Sequence, residues 1–210
     1  YIQTLKKKFK TIKLNQIIDI KRGEEVGSEN YSVSLKKNSD DIPFIRTSDI
    51  INYEVDSYPD YYVVPEIKNQ LTQDIEQGDI LFTKDGKIGL SGMITSNDNC
   101  ILASGIAYLR LKKIQKISPE YVFICLSSNI GIFQAKQRTV TSSTLPHLRP
   151  EHILEFEIPL IDEKDQQEIT KRIKQAFKLK DEKKILIRET KKILENRIDQ
   201  KIKVKFNSFE

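Results

Sequence analysis

Acidic side chains followed by a lysine are the first place to look for catalysis. Asp60, Glu66 and Lys68 spell the PD…ExK pattern of nucleases, in which two carboxylates and a lysine surround a divalent metal. That chemistry needs the acidic groups on neighbouring strands with converging side chains. Only residues 61–65 separate the two parts here, and the segment ends in Pro65, so this geometry is hard to reach. A small Mg-dependent nuclease is therefore the enzymatic alternative, and not the preferred interpretation.

The other catalytic patterns are incomplete. Residues 41–44 (DIPF) resemble the Asn/Asp-Pro-Pro-aromatic loop of amino-methyltransferases, but the second position is Ile and no glycine-rich loop for the methyl donor is present. Ser142–Thr144 lie close to His147 without the G-x-S-x-G frame of a nucleophile elbow. Gly86-Lys87 lacks the upstream glycine and the following Ser or Thr of a phosphate-binding loop. We predict no catalytic residue, no metal site and no cofactor in this chain.

Three polar segments carry side chains of the types that contact DNA in other proteins. They are residues 46–48 (RTS), 84–87 (KDGK) and 136–144 (KQRTVTSST), the last followed by His147 and Arg149. Arg and Lys bind guanine edges or phosphates, Gln reads adenine, and Ser and Thr reach either. Hydroxyl groups flanked by cations also suit the positioning of phosphates. None of these segments is specific alone, because polar loops are more often merely solvated.

The elements that must position these segments change character near residue 160. Before it, short apolar runs alternate with turn residues, which is typical of a strand-rich mixed domain. We predict strands at Ile42–Ile45, Asp79–Thr83, Ile101–Leu111 and Phe156–Leu160, and helices at Leu14–Ile20 and Ser118–Gly131. The second helix opens with Ser118 as the N-cap and Pro119 at the first helical position.

A long helix is predicted after Pro159. From Asp162 to about Val204 there is no Gly or Pro, and Leu179, Leu186 and Ile193 repeat every seven residues. Such a helix would span on the order of 60 Å at ~1.5 Å per residue, too long to pack wholly on one small domain. Its apolar stripe must be buried, so we expect antiparallel pairing with another long helix in a coiled coil. The alternative is a helical hairpin that turns back near Asp181–Lys184.

Composition limits the function classes only loosely. The net charge is +5 and 38% of the residues are hydrophobic, which allows a real core and fits a polyanionic partner without requiring one. Cys100 and Cys125 are isolated in apolar contexts, which predicts reduced thiols in a cytoplasmic protein. No apolar run reaches transmembrane length and no signal peptide is apparent.

The order of the segments resembles one known family over nearly the whole chain. The chain looks like the target-recognition domain and adjoining helix of a type I restriction–modification specificity subunit. No single element is diagnostic, but the series in this order, ending in a long helix, is fairly specific. The segments that carry the resemblance are 13–17 (KLNQI), 21–23 (KRG), 42–50 (IPFIRTSDI), 77–89 (QGDILFTKDGKIG), 117–122 (ISPEYV), 142–148 (SSTLPHL), 156–160 (FEIPL) and 166–169 (QQEI).

This resemblance implies an α+β fold, with a DNA-binding target-recognition domain over residues 1–160 and a spacer and dimerisation helix over 161–210. It implies a non-catalytic module that reads one half of a bipartite site in double-stranded DNA. Adenine methyltransferase subunits and a restriction subunit would dock on it, and the methyl donor and ATP would belong to those subunits. A second recognition half, from another copy or the same longer chain, would pair through the helix. Similar domains also form the tail of single-chain restriction–methyltransferases and of phage-defence methyltransferases, which stay open.

The contact set follows from the polar segments and the resemblance together. Arg46, Gln137 and Arg138 are the preferred base readers, since their side chains match purine edges. The predicted DNA contacts are Arg46, Thr47, Ser48, Lys84, Lys87, Gln137, Arg138, Thr139, Thr141, Ser143, His147 and Arg149.

Overall fold

The computed structural model describes residues 2–33, 40–56, 58–96, 98–113, 116–140 and 146–207. It is a mixed α+β fold that ends in a long helix, which confirms the predicted fold class. The strands are β1 (Lys10–Lys13), β2 (Ile18–Arg22), β3 (Tyr31–Val33), β4 (Ile42–Ile45), β5 (Ile50–Ile51), β6 (Glu54–Val55), β7 (Tyr61–Val63), β8 (Ile80–Thr83), β9 (Ser91–Met93), β10 (Ile101–Leu102), β11 (Ile106–Leu111) and β12 (Glu157–Leu160). The helices are α1 (Ile2–Lys8), α2 (Leu14–Ile17), α3 (Pro65–Lys68), α4 (Pro119–Ser127), α5 (Asn129–Arg138), α6 (Pro150–Leu154) and α7 (Glu163–Asn207).

Two four-stranded sheets form the centre of the fold. One is antiparallel throughout, in the order β2-β11-β8-β9. The other has the order β10-β4-β7-β3, and its β10–β4 pair is parallel. A two-stranded β1–β12 ribbon and the β5–β6 hairpin complete the strands. Strands β4, β8 and β11 are all inner strands of their sheets, although they are far apart in sequence.

The core fills with branched aliphatic and aromatic side chains from both sheets. One cluster of buried residues joins Ile45 of β4 to Leu81 of β8 and to Ile106 and Tyr108 of β11. A second cluster, centred on Phe44, Val63 and Ile101, lies on the β4–β7 sheet. These strands are buried on nearly every residue, so the polar segments that follow them are held by rigid elements.

The predicted helix Ser118–Gly131 is wrong as one unit, because two helices occupy the region. Ser118 caps α4 as predicted, its side chain accepting from the amide of Tyr121 at 3.1 Å. Ser128 then divides the region: its amide donates to the carbonyl of Ile124 at 3.0 Å, and its hydroxyl accepts from the amide of Ile130 at 3.2 Å. One residue thus ends α4 and begins α5. Helix α5 runs on to Arg138, so the start of the predicted polar loop at 136–144 is helical.

Smaller differences separate the other predicted elements from the structure. The predicted helix Leu14–Ile20 is a single turn, α2, because Ile18–Arg22 pairs with β11 instead. The predicted strand Ile101–Leu111 is two strands with a turn at Ala103–Gly105 between them. That turn proves central to the candidate site.

The long C-terminal helix continues without a break through residues 181–184, so the hairpin alternative is wrong. Its 45 residues correspond to roughly 67 Å at ~1.5 Å per residue. The chain divides into two compact units, Tyr1–Ile173 and Lys174–Glu210, which are described separately here. In the second unit, Leu179, Leu186 and Ile193 are 57%, 62% and 62% exposed, and they form the stripe seen in the sequence. Within the part of the chain that the structure describes, no helix is long and apolar enough to cross a membrane.

Candidate nucleic-acid interface

Polar segments from four parts of the sequence meet around Gly105, in the turn before β11. A Cβ placed on Gly105 would lie 3.0 Å from Cγ2 of Thr47 and 3.6 Å from Cβ of Asp85. Segments 46–48 and 84–87 therefore approach the same point. The amide of Lys84 also donates to the carbonyl of Gly105 at 2.9 Å, which fixes the start of the second segment against the turn.

The third and fourth segments join the second through backbone pairing. Isolated antiparallel bridges link His147 to both Asp85 and Val140. The amide of Leu148 donates to the carbonyl of Lys84 at 2.8 Å, and the amide of Gly86 donates to the carbonyl of Pro146 at 3.1 Å. We call residues 46–48, 84–87, 137–140 and 147–149 the loop cluster.

The loop after β8 is held in shape from within, which leaves its tip exposed. The hydroxyl of Thr83 donates to the carbonyl of Lys87 and accepts from the amide of Leu90 at 2.9 Å. Thr83 is fully buried, so this pairing also satisfies a buried hydroxyl. Gly86 sits at φ +67°, a left-handed conformation that glycine adopts freely. The side chain of Lys87 is exposed on this braced turn.

Lys84 differs from Lys87 in its surroundings. It is only 5% exposed, and its Nζ pairs with Oδ2 of Asp85 at 2.6 Å. Oδ1 of Asp85 in turn contacts Nδ1 of His147. A buried ammonium needs such a partner, because an unpaired buried charge is strongly unfavourable. Lys84 therefore helps to hold the loop cluster together; a contact of its own with DNA stays a prediction.

Arg46 is partly exposed and packs on the β4–β7 side of the loop cluster. Its guanidinium stacks over the ring of Tyr61 at 3.8 Å and forms an ion pair with Asp60 at 3.3 Å. Its amide donates to Oδ2 of Asp49 at 2.8 Å, which caps the one-turn 3-10 helix Thr47–Asp49. Ser48 is exposed on that turn and donates to Asp49. Stacking leaves the guanidinium preorganised, since an aromatic face limits its rotamers.

The end of α5 presents side chains in two directions. Gln137 is exposed. Arg138 instead donates to the carbonyl of Gln134 at 3.3 Å, and its guanidinium lies 5.5 Å from the ring centre of the buried Phe156. The hydroxyl of Thr139 donates to the carbonyl of Ala135 at 2.8 Å and so closes the helix end. In the last turn of α5, Lys136 and Gln137 are exposed, and of these two Gln137 is a predicted DNA contact.

The remaining predicted contacts divide into two groups. Arg149 is exposed and precedes α6, whose first turn hydrogen-bonds to its carbonyl. Thr141 and Ser143 lie outside the described residues. Two partners escaped the sequence reading: Asp85, which joins Lys84 to His147, and Tyr61, which supports Arg46. The turn residues Asp85-Gly86 were visible in the sequence, but nothing there indicates that the carboxylate faces a residue 62 positions away.

With this geometry in hand, comparison with known proteins is informative. A family model of the type I restriction modification DNA specificity domain matches residues 6–189. The chain belongs to this family. No curated protein matches the chain.

Solved structures share the fold of this specificity domain at low sequence identity. The HsdS subunit from Thermoanaerobacter tengcongensis matches with a TM-score of 0.54 and 16% identity, over 81% of this chain and 38% of that one. The type I restriction-modification S subunit from M. genitalium matches with a TM-score of 0.54 and 13% identity, over 78% and 37%. The type IIG restriction endonuclease BpuSI matches with a TM-score of 0.55 and 12% identity, over 82% and 27%. The chain thus spans less than two fifths of the length of each of these proteins.

The nuclease-like residues of the specificity domain lie at opposite ends of β7. Asp60 precedes β7 and pairs with Arg46, whereas Glu66 lies in α3, beyond the other end of that strand. Lys68 donates to the side chain of Asn99 at 2.7 Å. Among the described residues, no group of three or more His, Cys, Asp or Glu side chains is placed to hold a metal ion. Asp60 and Glu66 are thus separated by the length of β7, and Asp60 and Lys68 each have another partner.

Proposed function

We propose that this specificity domain binds double-stranded DNA and reads one half of a bipartite target site through the loop cluster. The observation that carries the proposal is that residues 46–48, 84–87, 137–140 and 147–149 are joined into one cluster. Loops held by rigid strands are a common way to present base-reading side chains. Methylation and cleavage belong to partner subunits, which the domain positions on the DNA.

Charge supports a phosphate-bearing partner for the loop cluster. Its cations are Arg46, Lys84, Lys87, Arg138 and Arg149, and the nearby carboxylates are Asp49, Asp60 and Asp85. Lys84 is already neutralised by Asp85, and Arg46 by Asp60, so Lys87 and Arg149 are the cations best placed for phosphates. Each phosphate contact adds to the salt dependence of binding, because counterions are released from the DNA.

Exposure separates the candidate base readers. Gln137 is exposed at the end of a helix anchored in the core, and a Gln amide can bind the N6 and N7 edge of adenine with two hydrogen bonds. Arg46 is rigidly stacked and partly exposed, which suits a guanine edge if its pairing with Asp60 opens. Arg138 is directed towards Phe156, so its role as a base reader requires a change of rotamer.

Selection from random duplexes tests the proposal directly. The chain should enrich one short asymmetric sequence, and log affinity for it should fall linearly with log salt concentration. Gln137→Ala should weaken binding to the enriched sequence and leave binding to unrelated duplexes unchanged. Lys87→Ala should weaken both and reduce the salt slope by about one.

Lys113→Ala provides the matched control. Lys113 is exposed beyond the far end of β11, and a six-residue strand spans about 20 Å from the Gly105 turn. Its replacement should leave both affinities unchanged. Equal binding to all duplexes by the wild-type chain, with no enriched sequence, would sink the proposal of target reading and leave only a charged surface.

The long helix completes the proposed function. We propose that the stripe of Leu179, Leu186 and Ile193 pairs with a second long helix, from another copy or from another part of a longer chain. The family includes whole subunits more than twice as long as this chain, which would supply that second helix themselves.

A fused arrangement is the second candidate, and the structural match to a type IIG restriction endonuclease favours considering it. In that case the domain would be one part of a single chain that also carries methyltransferase and nuclease activities. The mass of the native protein, measured with an antibody against this chain, separates a subunit of 24.4 kDa from a much larger polypeptide.

A further inference from the structure

We propose that Asp85 is a positioning residue that, with Lys84, fixes one tautomer of His147, so that Nε2 of the ring accepts a hydrogen bond from a DNA base. The inference rests on the proposed function and adds a specific chemistry to it. The acceptor would meet an exocyclic amino group, N6 of adenine or N4 of cytosine, which are the donors of the major groove.

A hydrogen-bonded series of three side chains supports the inference. Nζ of Lys84 lies 2.6 Å from Oδ2 of Asp85, and Oδ1 of Asp85 contacts Nδ1 of His147. This hydrogen-bonded series runs from the interior to the surface: the side chains of Lys84, Asp85 and His147 are 7%, 32% and 41% exposed. The inner end is anchored in the fold and the outer end reaches the surface of the loop cluster.

The backbone holds the same three residues in register. Asp85 and His147 face each other as an antiparallel bridge, flanked by the hydrogen bonds Leu148 to Lys84 and Gly86 to Pro146. His147 bridges Val140 on its other side. Because main-chain bonds on both sides fix the backbone of His147, the carboxylate and imidazole are placed together by the fold and not by chance rotamers.

The chemistry of these three side chains decides which nitrogen of the His147 ring carries the hydrogen. A carboxylate only accepts, so the nitrogen that faces Asp85 must carry a hydrogen. In the neutral ring the hydrogen on Nδ1 completes the network, and Nε2, which points away from Asp85, is an acceptor. Arg46 and Arg138 offer only donors, so an imidazole acceptor would bind an amino group that these two side chains cannot.

Imidazole nitrogen shifts in the wild-type chain are the first test. In ¹⁵N-labelled protein, His147 should show a protonated Nδ1 and an unprotonated Nε2 at the pH of DNA binding, whereas the second histidine, His152, serves as the internal comparison. A proton on Nε2, in either the neutral or the charged ring, overturns the inference. This measurement needs no variant and stays decisive if substitutions impair folding.

Base analogues that lack one amino group are the second test. On the selected duplex, replacing each adenine by purine and each cytosine by 2-pyrimidinone should reveal one position, besides any adenine bound by Gln137, where wild-type binding weakens about tenfold. Asp85→Ala and His147→Ala should bind the normal duplex more weakly and lose the penalty at that position. Asp85→Asn should lose it as well, because its single amide oxygen accepts from Lys84 and its amino group then donates to Nδ1, which moves the ring proton to Nε2. Lys113→Ala should retain all of it.

The outcomes separate the two proposals. If the wild-type chain selects no sequence, the proposed function fails. If it selects one but no amino deletion is sensitive to His147, or if Asp85→Ala keeps the full penalty, the positioning role of Asp85 is wrong while target reading stands.

Discussion

Gln134 and Glu157 exchange two hydrogen bonds in the interior of the domain. The side-chain amide of Gln134 donates to the carbonyl of Glu157 at 3.0 Å, and its Oε1 accepts from the amide of Glu157 at 2.7 Å. The side chain of Gln134 thus makes the two main-chain hydrogen bonds at Glu157 that a neighbouring strand would otherwise make with β12. Gln134 is fully buried, and it lies on α5 one turn before Arg138. The end of α5, and with it Gln137, is therefore tied directly to β12.

Gln134→Ala should destabilise the fold. It leaves the buried amide and carbonyl of Glu157 without partners, at a cost of about 1–3 kcal/mol for each unsatisfied group. Urea unfolding followed by circular dichroism measures the loss. Gln137→Ala, three residues along on the exposed side of α5, should change the free energy of unfolding by less than about 0.5 kcal/mol. Equal effects from the two changes would contradict the structural role assigned to Gln134.

Gly105→Ala should impair DNA binding more than stability. The new Cβ would stand 3.0 Å from Cγ2 of Thr47, so one of the two segments must give way. We expect a several-fold weaker affinity for the selected duplex with a small change in melting temperature. At Gly92 a Cβ would lie 3.4 Å from Ile50, away from the loop cluster, so Gly92→Ala should leave affinity intact. Unchanged affinity in Gly105→Ala would show that this turn does not set the positions of the reading side chains.

Acid should weaken the fold through Asp74. The pKa of Asp74 is lowered to about 2, mainly by the hydrogen bond from Lys21. The hydrogen bond from Tyr108 and the charge of Arg110 lower it further. An unfolded Asp titrates near ~3.9, so the carboxylate stabilises the fold above that pH, and this contribution is lost as pH falls from about 4 to about 2. Urea titrations between pH 5 and pH 2 should show stability falling, and Asp74→Asn should flatten the fall in this window. If the free energy of unfolding of Asp74→Asn fell with pH as steeply as that of the wild type, Asp74 would not be the group responsible.

The contact between Asp74 and Tyr108 also predicts a loss of folding stability at high pH. Burial, together with the neighbouring Asp74 carboxylate, raises the pKa of Tyr108 to about 12. An unfolded Tyr titrates near ~10, so the neutral phenol stabilises the fold below pH 10 and this contribution disappears as pH rises towards 12. Tyr108→Phe removes the ionisable group, and its stability should depend less on pH between 10 and 12 in the same unfolding measurement.

The exposed stripe on α7 should mediate association. Leu186→Lys with Ile193→Lys places two charges on it, which should lower the association constant because charge is unfavourable in a buried helix seam. Light scattering over a range of concentrations measures the mass. Arg188→Gln, on the opposite side of the helix, is the control and should associate like the wild type. A wild-type chain that stays monomeric at every concentration would instead assign the stripe to a partner within a longer protein.

The parts of the fold that depend on local pattern were predictable, and those that depend on distant pairing were not. The absence of Gly and Pro after Asp162 is enough to predict α7, and Ser118-Pro119 is enough to predict the start of α4. The division at Ser128 was missed because the apolar residues before and after it keep a helical spacing. Its two capping bonds become visible only when both helices are placed.

The candidate site shows the same contrast. Segments 46–48 and 84–87 could be chosen because each follows an apolar strand, where loops carry functional side chains. The burial of Lys84 and the inward turn of Arg138 could not be foreseen, since Lys and Arg are usually exposed. Both depend on residues far away in sequence, His147 and Phe156, which β-pairing and the β12 ribbon bring close.

In the loop cluster, the residues that hold the backbone differ from those that are exposed, which affects how the protein can evolve. Lys84, Asp85 and Thr83 hold the backbone, whereas Lys87, Gln137 and Arg149 are exposed and take little part in the packing. Substitutions at the exposed positions therefore cost little folding stability. On the proposed function, substitutions at these positions would change the preferred DNA sequence and leave the fold intact.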